Sequence, residues 1–415
     1  MCARLSRGPR AGVSADCHER FAAGFAVVNF EDPTDIGSRT PRPAGVLTSG
    51  AMAGPAAIAL EPAPASASAP APAGPGEAAK DRWILSPALD LLLFVGVTFL
   101  TVIPWIVSDV LHYPGWYVLV GVAFVNGPHL ISTWTRVYIP RGERFRRPVQ
   151  YWVMPGLVAA FAVANELRGG NGPSLVRSVI FYWASWHFVA QSWGILRIYQ
   201  RKHRVVGTLD AKLERALLFG PAFFCMLRRL HTGLWTLFEV EVFHVVPPAW
   251  IVNVFGALLV LVALLYGARR LVASGQRPWS ETVRPVYLVF NFVGFAMPFL
   301  VIQDGTSAFA AAALWHAAQY MAIVWLYNRR RYAGGIDPGA RVVSWASQPG
   351  RAPAYVAILA AGAAGVYSVA FLIASVAKIP FQSLALVFWT GLTLAHYYVD
   401  GVIWKTRRYN LKPLG

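Results

Sequence analysis

The sequence predicts an all-α protein, a polytopic integral membrane helical bundle of about ten transmembrane helices with a disordered N-terminal tail. Two observations support this prediction. Of the 415 residues, 56% are hydrophobic and only 14% are charged, and the apolar residues form runs long enough to cross a hydrocarbon core of about 30 Å. In addition, the basic residues lie between the apolar runs rather than inside them.

The N-terminal part of the chain is rich in Ala, Pro, Gly and Ser, and ends in EPAPASASAPAPAGPGEAAK at 61–80. Such a composition buries too little apolar surface to fold, so residues 1–82 are predicted to be a disordered cytoplasmic tail. A start at Met52 would lose nothing that can fold, which suggests that 1–51 is an over-extended gene start. The transmembrane domain is then 83–409, and 410–415 form a short cytoplasmic C-terminus.

Ten apolar segments have the length that a membrane-crossing helix needs. The fifth is the weakest, because its ends are charged and Pro221 lies inside it; an interfacial or re-entrant helix is the alternative for this segment. The segments are 85–108, 115–138, 150–166, 175–199, 212–228, 248–268, 284–303, 307–328, 354–377 and 382–404.

The loops between these segments alternate in their content of basic residues. Loops after the even-numbered segments are rich in Arg and Lys, as at 329–331, whereas the loops at 112–115, 303–307 and 378–382 are nearly devoid of them. The positive-inside rule therefore assigns both termini to the cytoplasm, and we expect the bacterial inner membrane. The same pattern explains the net charge of +17. We therefore expect membrane lipids as partners and no binding of nucleic acid.

One element occurs four times: an apolar helix with a single histidine, a polar residue one turn later and a basic exit. Its clearest copy is LWHAAQYMAIVWLYNRRR at 314–331. Polar side chains are costly in hydrocarbon and commonly mark a site. The predicted topology places the four imidazoles at one depth, about 10 to 18 Å from the cytoplasmic surface. The histidines are His129, His187, His316 and His396.

A polar residue follows each histidine four positions later, on the same face of the helix. The four are Thr133, Gln191, Tyr320 with its neighbour Gln319, and Asp400. A metal-bound imidazole commonly donates its second ring N–H to such an acceptor. We predict that Gln191, Gln319, Tyr320 and Asp400 orient ligands or shuttle protons, and Asp400 is also a candidate ligand.

Four imidazoles with a carboxylate or waters suit Fe(II), and also Zn or Cu, while three cysteines without a CxxC pair give no thiolate site. The sequence thus predicts a non-haem iron oxidoreductase or oxygenase whose substrate is a lipophilic small molecule, an isoprenoid or an acyl chain. Three alternatives use the same histidines. They are a transporter or channel with a proton or solute pathway, a haem-binding electron carrier, and a structural or assembly role.

Two fragments, NGPH at 126–129 and ASWHF at 184–188, resemble histidine motifs of the Brp/Blh-type carotene dioxygenase family. The resemblance implies a polytopic membrane enzyme with an all-histidine non-haem iron site. The family's first motif has a second histidine shortly after PH, where this chain has residues 131–134 without one. His316 and His396 would therefore have to complete the ligand set, and carotene as the substrate does not carry over.

Three local features give further predictions. Asp90, near the start of the first segment, is predicted to pair with an exit arginine such as Arg136 or Arg197. The NGP sequence at 126–128 is predicted to open the helix just before the first histidine. The longest outward segment, 231–248, contains two histidines and two glutamates, and a loop or amphipathic cap is favoured there over a second metal site.

Overall fold

The computed structural model describes residues 82–168, 174–233, 236–238, 240–272 and 279–404. These residues are almost entirely helical, and the strands among them are one antiparallel pair, Thr236–Leu237 and Val240–Glu241. The all-α prediction is confirmed. The predicted tail, except for its last residue, and the C-terminal segment 410–415 lie outside the described residues.

Among the described residues, ten long helices lie at the positions of the ten predicted apolar segments, and we label them α1 to α10. Short helices at Arg141–Arg144, Trp279–Thr282, Pro338–Ala340 and Arg341–Ala346 lie in the connections between them. The long helices are α1 Pro87–Val110, α2 Gly115–Val137, α3 149–168, α4 Leu175–Lys202, α5 Leu209–Thr232, α6 Ala249–Val272, α7 Val283–Val301, α8 Gly305–Arg331, α9 Ala352–Ala377 and α10 Phe381–Ile403.

Five of these helices, α1, α6, α7, α8 and α9, are long and apolar enough to cross a membrane. This finding fits an integral membrane protein. Helices α4 and α10 each contain a histidine and further polar residues, which lower the mean hydropathy of a helix even when its polar side chains face protein.

Side-chain caps define where several helices begin. Ser174 precedes α4 and accepts a hydrogen bond from the backbone N–H of Arg177. Thr208 caps α5 in the same way, and the carboxylate of Asp304 accepts from Ser307 N–H at the start of α8. Each cap satisfies an N–H that has no partner within its helix, so the loop sequence determines the first turn.

Helix α2 runs without a break through Pro128, so the predicted opening at 126–128 is wrong. Proline removes one N–H from the helical ladder, and a helix packed among others tolerates this loss. The adjacent glycine has a packing role instead. A Cβ on Gly127 would lie 2.9 Å from the Cβ of Ala363 in α9, so the small residue permits α2 and α9 to approach closely.

Asp90 does not form the predicted ion pair with an exit arginine. Its carboxylate accepts from the backbone N–H groups of Ile84 and Leu85, each at 2.8 Å, and of Ser86 at 3.3 Å. The hydroxyl of Tyr199 donates to it at 2.8 Å. These four donors stabilise the buried carboxylate without a cation, and they tie the entrance of α1 to α4.

The segment 231–248, which the sequence predicts to face outward and which we call the outward loop, begins at the end of α5. Its described residues beyond α5 form the short strand pair and irregular backbone, in agreement with the predicted loop. Ser178 in α4 accepts from the backbone N–H of Phe243, and Thr306 in α8 accepts from that of Phe238. The side chains of His231 and His244 each bond a backbone carbonyl. The segment therefore covers the N-terminal ends of α4 and α8.

The four helices that carry the histidines are neighbours in space. They contact one another in a closed cycle, α2 with α8, α8 with α4, α4 with α10 and α10 with α2. Helix α9 packs on α2, helix α3 packs on α10, and α1 packs on α8. The four histidines thus come from four elements that surround one volume.

Candidate metal centre

Four buried imidazoles meet inside the cycle of helices. The histidines are His129, His187, His316 and His396. One nitrogen of each lies within 4.8 Å of the others. Because metal–imidazole bonds are about 2.1 Å long, two nitrogens on opposite sides of one ion lie about 4.2 Å apart. The cluster therefore has nearly the dimensions of a site for one ion.

The rings contact one another in the same cyclic order as their helices. The centroid distances are 4.8 Å from His129 to His316, 4.7 Å from His316 to His187, 5.1 Å from His187 to His396 and 4.5 Å from His396 to His129. All four contacts are edge-to-face. Each imidazole is thus held between two others, and none of the four lies apart from the group.

Most of the buried ring nitrogens lack a hydrogen-bond partner. Nδ1 of His129, Nε2 of His187, Nε2 of His396 and both nitrogens of His316 are without one. A buried polar atom without a partner costs about 1–3 kcal/mol, and several such atoms in one cluster are rare in a folded protein. A metal ion bound among them would satisfy these nitrogens, so the residues present fit such a group.

A hydrogen-bond network adjoins the cluster on the side towards the C-terminal ends of the four helices. Oγ1 of Thr133 lies 2.8 Å from Nδ1 of His396 and 2.8 Å from the hydroxyl of Tyr320. That hydroxyl donates to Oδ1 of Asp400 at 2.6 Å, and Thr133 lies 3.2 Å from the same oxygen. We call Thr133, Tyr320 and Asp400 the polar side of the cluster.

The network fits the tautomer of His396 that carries its proton on Nδ1. In that tautomer, Nδ1–H donates to Oγ1 of Thr133, whose own hydroxyl proton is then available for Tyr320 or Asp400. With the proton on Nδ1, the lone pair of Nε2 is free and lies within the cluster. This is the protonation state that a metal-ligating histidine requires.

The two predicted glutamines bind backbone rather than histidine side chains. Gln191 donates from Nε2 to the carbonyl of His316 at 3.1 Å. Gln319 donates to the carbonyl of Phe94 in α1 at 2.8 Å. They therefore join α4 to α8 and α8 to α1, whereas Tyr320 and Asp400 adjoin the cluster itself.

The opposite side of the cluster is aromatic. The ring of Phe188 lies 4.5 Å from that of His316, and Phe309 lies 6.3 Å beyond Phe188. Trp389 and Phe238 continue the series, with their ring centroids 5.0 Å apart. We call Phe188, Phe238, Phe309 and Trp389 the apolar side. Phe238 belongs to the outward loop, and no pattern in the sequence connected it with the histidines.

The two sides show that the histidine helices run in the same direction. Residues four positions after three of the histidines meet on the polar side. Phe309 and Trp389, each seven positions before a histidine, meet on the apolar side. In α4, Ser178 precedes its histidine and bonds the same outward loop that supplies Phe238. All four C-terminal ends therefore lie towards the polar side.

A buried arginine lies one turn beyond the polar side. The guanidinium of Arg136 lies between the rings of Tyr327 and Trp404, at 4.0 and 4.2 Å from their centroids. It also donates to the carbonyl of Ile403 at 3.0 Å. The indole of Trp404 in turn lies 6.0 Å from Tyr320. Trp404 thus packs beside the centre.

No family model, no curated protein and no solved structure matches this chain. The structure itself provides long apolar helices, which fit a membrane protein, and a buried four-histidine group that could hold a metal ion.

Proposed function

We propose that the chain is a membrane-embedded, metal-dependent oxidoreductase or oxygenase that acts on a lipid-soluble substrate. The observation that carries this proposal is the group of four buried histidines whose ligand nitrogens lie within 4.8 Å of one another. Nitrogen ligands favour a transition metal over Mg²⁺ or Ca²⁺, which prefer oxygen. Non-haem iron is the metal we infer, because imidazole with carboxylate is its usual ligand combination in oxygenases.

The packing of the rings favours a single ion over haem. Axial histidines must stand on opposite faces of a porphyrin, whereas each imidazole here contacts two others at centroid distances of 4.5 to 5.1 Å. Thiolate chemistry is not supported either, since the described cysteine, Cys225, lies buried in α5, which is not a histidine helix, and does not belong to the four-histidine group.

The two sides of the cluster support different tasks. The aromatic rings of the apolar side suit an isoprenoid or acyl chain that reaches the metal from the membrane. On the polar side, the hydroxyl of Tyr320 donates to Asp400 at 2.6 Å, and this hydrogen bond gives a proton a path towards the cluster. Gln191 and Gln319 position the helices through backbone carbonyls. Bound iron would supply the redox chemistry at an exchangeable coordination position.

The proposal includes ten membrane crossings, with both termini in the cytoplasm of a bacterial inner membrane. Support comes from the basic loops and from the shared direction of α2, α4, α8 and α10, since even-numbered crossings all run the same way. The resemblance of NGPH and ASWHF to the Brp/Blh-type family also belongs to the proposal, as a distant relation through an all-histidine iron site. A transporter is less favoured, because aromatic rings rather than polar groups fill the apolar side.

The test is elemental analysis and an absorbance spectrum of protein purified in mild detergent without a histidine tag. We expect about one iron per chain and no Soret band. The double variant His187→Ala, His316→Ala should remain in the membrane and lose the metal. A control with the same number of histidines removed, His112→Asn with His244→Gln, should retain it, because neither residue belongs to the cluster. Full metal occupancy in the cluster variant contradicts the proposal.

A further inference from the structure

We propose that Asp400 is a fifth protein ligand, with its Oδ2 atom completing the coordination of the ion that the four histidines hold. This inference rests on the proposed metal site and deepens it, because it gives the coordination number and the side from which a substrate can approach.

The two carboxylate oxygens of Asp400 have different surroundings. Oδ1 accepts hydrogen bonds from Tyr320 at 2.6 Å and from Thr133 at 3.2 Å. Oδ2 is buried and has no hydrogen-bond partner, and it lies 3.7 Å from Nε2 of His396 and 3.8 Å from Nε2 of His187. A carboxylate that binds a metal through one oxygen shows this division, with its other oxygen held by hydrogen bonds.

The nitrogens that face Oδ2 are unpartnered as well. Nε2 of His187 and Nε2 of His396 both lack a hydrogen-bond partner. Three buried polar atoms from α4 and α10 thus point at one another without a hydrogen bond between them. An ion placed among them would accept a lone pair from each. Hydrogen bonds within the group cannot satisfy these atoms, because 3.7 Å between Oδ2 and Nε2 of His396 is too long for a hydrogen bond.

Charge gives a second, independent reason. Four neutral imidazoles leave a divalent ion with both of its charges in an apolar, buried environment, where uncompensated charge is very costly. One carboxylate ligand lowers the net charge of the centre to about +1. Conversely, an ionised Asp400 without a metal would leave Oδ2 unpartnered among buried histidines, because Tyr320 and Thr133 stabilise only Oδ1.

The position of Asp400 also bears on the side from which a substrate would approach. Asp400 would bind the ion from the polar side, whereas the rings of Phe188 and Phe309 on the apolar side offer no ligand atom. A six-coordinate arrangement suits Fe(II), Mn(II) or Co(II) better than Zn(II), which prefers four ligands. An apolar molecule would therefore meet the metal from the aromatic side.

Cobalt is the probe for the test, because its visible absorption reports the coordination number directly. Wild-type protein in mild detergent, stripped of metal and titrated with Co(II), should show the weak bands of a five- or six-coordinate ion. Asp400→Asn should show the more intense bands of a cobalt ion with one ligand fewer, with Co(II) binding at least about tenfold weaker. The asparagine carbonyl keeps the Tyr320 hydrogen bond, so the amide NH₂, which cannot ligate, takes the place of Oδ2.

Tyr320→Phe is the matched control, because it removes a hydrogen bond to Oδ1 but leaves Oδ2 unchanged. It should keep the wild-type cobalt spectrum even where its affinity for Co(II) falls. An Asp400→Asn spectrum identical to wild type overturns the inference. If wild-type protein binds neither Fe(II) nor Co(II), the proposed function fails instead, so the two failures are distinguishable.

A measurement on the wild-type protein covers the case in which Asp400→Asn does not fold. Protein labelled with ¹³C-aspartate is compared by infrared spectroscopy with and without Co(II). Asp400 as a ligand predicts that the carboxylate stretching bands of one aspartate shift when the metal binds. Aspartate bands that do not respond to Co(II) binding contradict the inference.

Discussion

The polar and apolar sides of the histidine cluster are built by the same helices and yet differ completely in chemistry. On the polar side, three side chains from α2, α8 and α10 form a hydrogen-bond network. On the apolar side, aromatic rings from α4, α8, α10 and the outward loop pack in series. The change from one to the other takes place within about three helical turns.

This difference shows how a membrane helix can accommodate polar residues. Each polar residue lies at the same distance along its helix from a histidine, so the neighbouring helices supply its partner at the same level. Thr133 and Asp400 face the same tyrosine from two different helices. The desolvation cost of these polar side chains is offset because they form hydrogen bonds with one another in one layer. The layers on the other side of the histidines remain apolar.

The largest expected effect is on the apolar side. Phe309→Ala removes a ring that is 5% exposed and contacts Phe188, Phe238 and Trp389, so the free energy of unfolding should fall by about 3–5 kcal/mol. Metal affinity should stay nearly constant, since no ligand is touched. Denaturation in detergent and a Co(II) titration measure the two quantities.

Phe371→Ala is the control for that variant, because its ring in α9 is 59% exposed and its loss opens no buried cavity. Its stability should remain close to that of the wild type. If Phe309→Ala is as stable as Phe371→Ala, the aromatic rings do not stabilise the apolar side as argued.

A smaller effect is expected on the polar side. Thr133→Val keeps the shape of the side chain but removes the partner of His396 Nδ1. We expect a loss of about 1–3 kcal/mol in stability and a metal affinity about 10- to 100-fold weaker. Isothermal titration with Co(II) and thermal unfolding measure these changes.

Thr135→Val, two residues further along α2, separates the two effects. Thr135 is equally buried, and it bonds Tyr355 and Asn328, each at 2.9 Å, rather than the cluster. Its substitution should reduce stability by a similar amount and leave metal affinity unchanged. An equal loss of affinity in both variants would contradict a specific role for Thr133.

The smallest effect concerns His203, which follows the end of α4 beyond the polar side. Burial, together with the neighbouring Arg284, lowers the pKa of His203 to about 4, and its Nε2 lies 3.2 Å from the carbonyl of Arg82. The unfolded chain, with a histidine pKa of about 6.5, therefore binds the proton more readily. This contribution to stability is complete above about pH 6.5 and is lost as the pH falls towards 4.

Melting temperatures of metal-free protein between about pH 7.5 and pH 5 test this expectation, and His203→Gln is the control. The wild type should lose more stability over this range than the variant, because glutamine does not titrate. Metal-free protein is used so that acid release of a metal from the cluster does not contribute. Parallel curves for the two proteins would show that His203 does not titrate in this way.

The positions of the helices follow from the sequence alone, and so does the grouping of histidines by depth. A helix forms from local hydrogen bonds, and a run of about 20 apolar residues is recognisable without knowledge of its neighbours. For this reason helices α1 to α10 lie at the ten predicted segments, and five of them are long and apolar enough to cross a membrane. The four histidines were singled out by the same local argument, since a polar residue in an apolar helix stands out.

The partners of those residues were decided only by the tertiary structure. The sequence pattern paired each histidine with the residue four positions later, whereas Thr133 of α2 bonds His396 of α10. It paired Asp90 with an arginine, whereas backbone N–H groups and Tyr199 satisfy that carboxylate. Which neighbouring helix supplies the partner of a side chain depends on the order and spacing of the helices. Contacts such as that of Gly127 with Ala363 set this spacing, and no local sequence period encodes them.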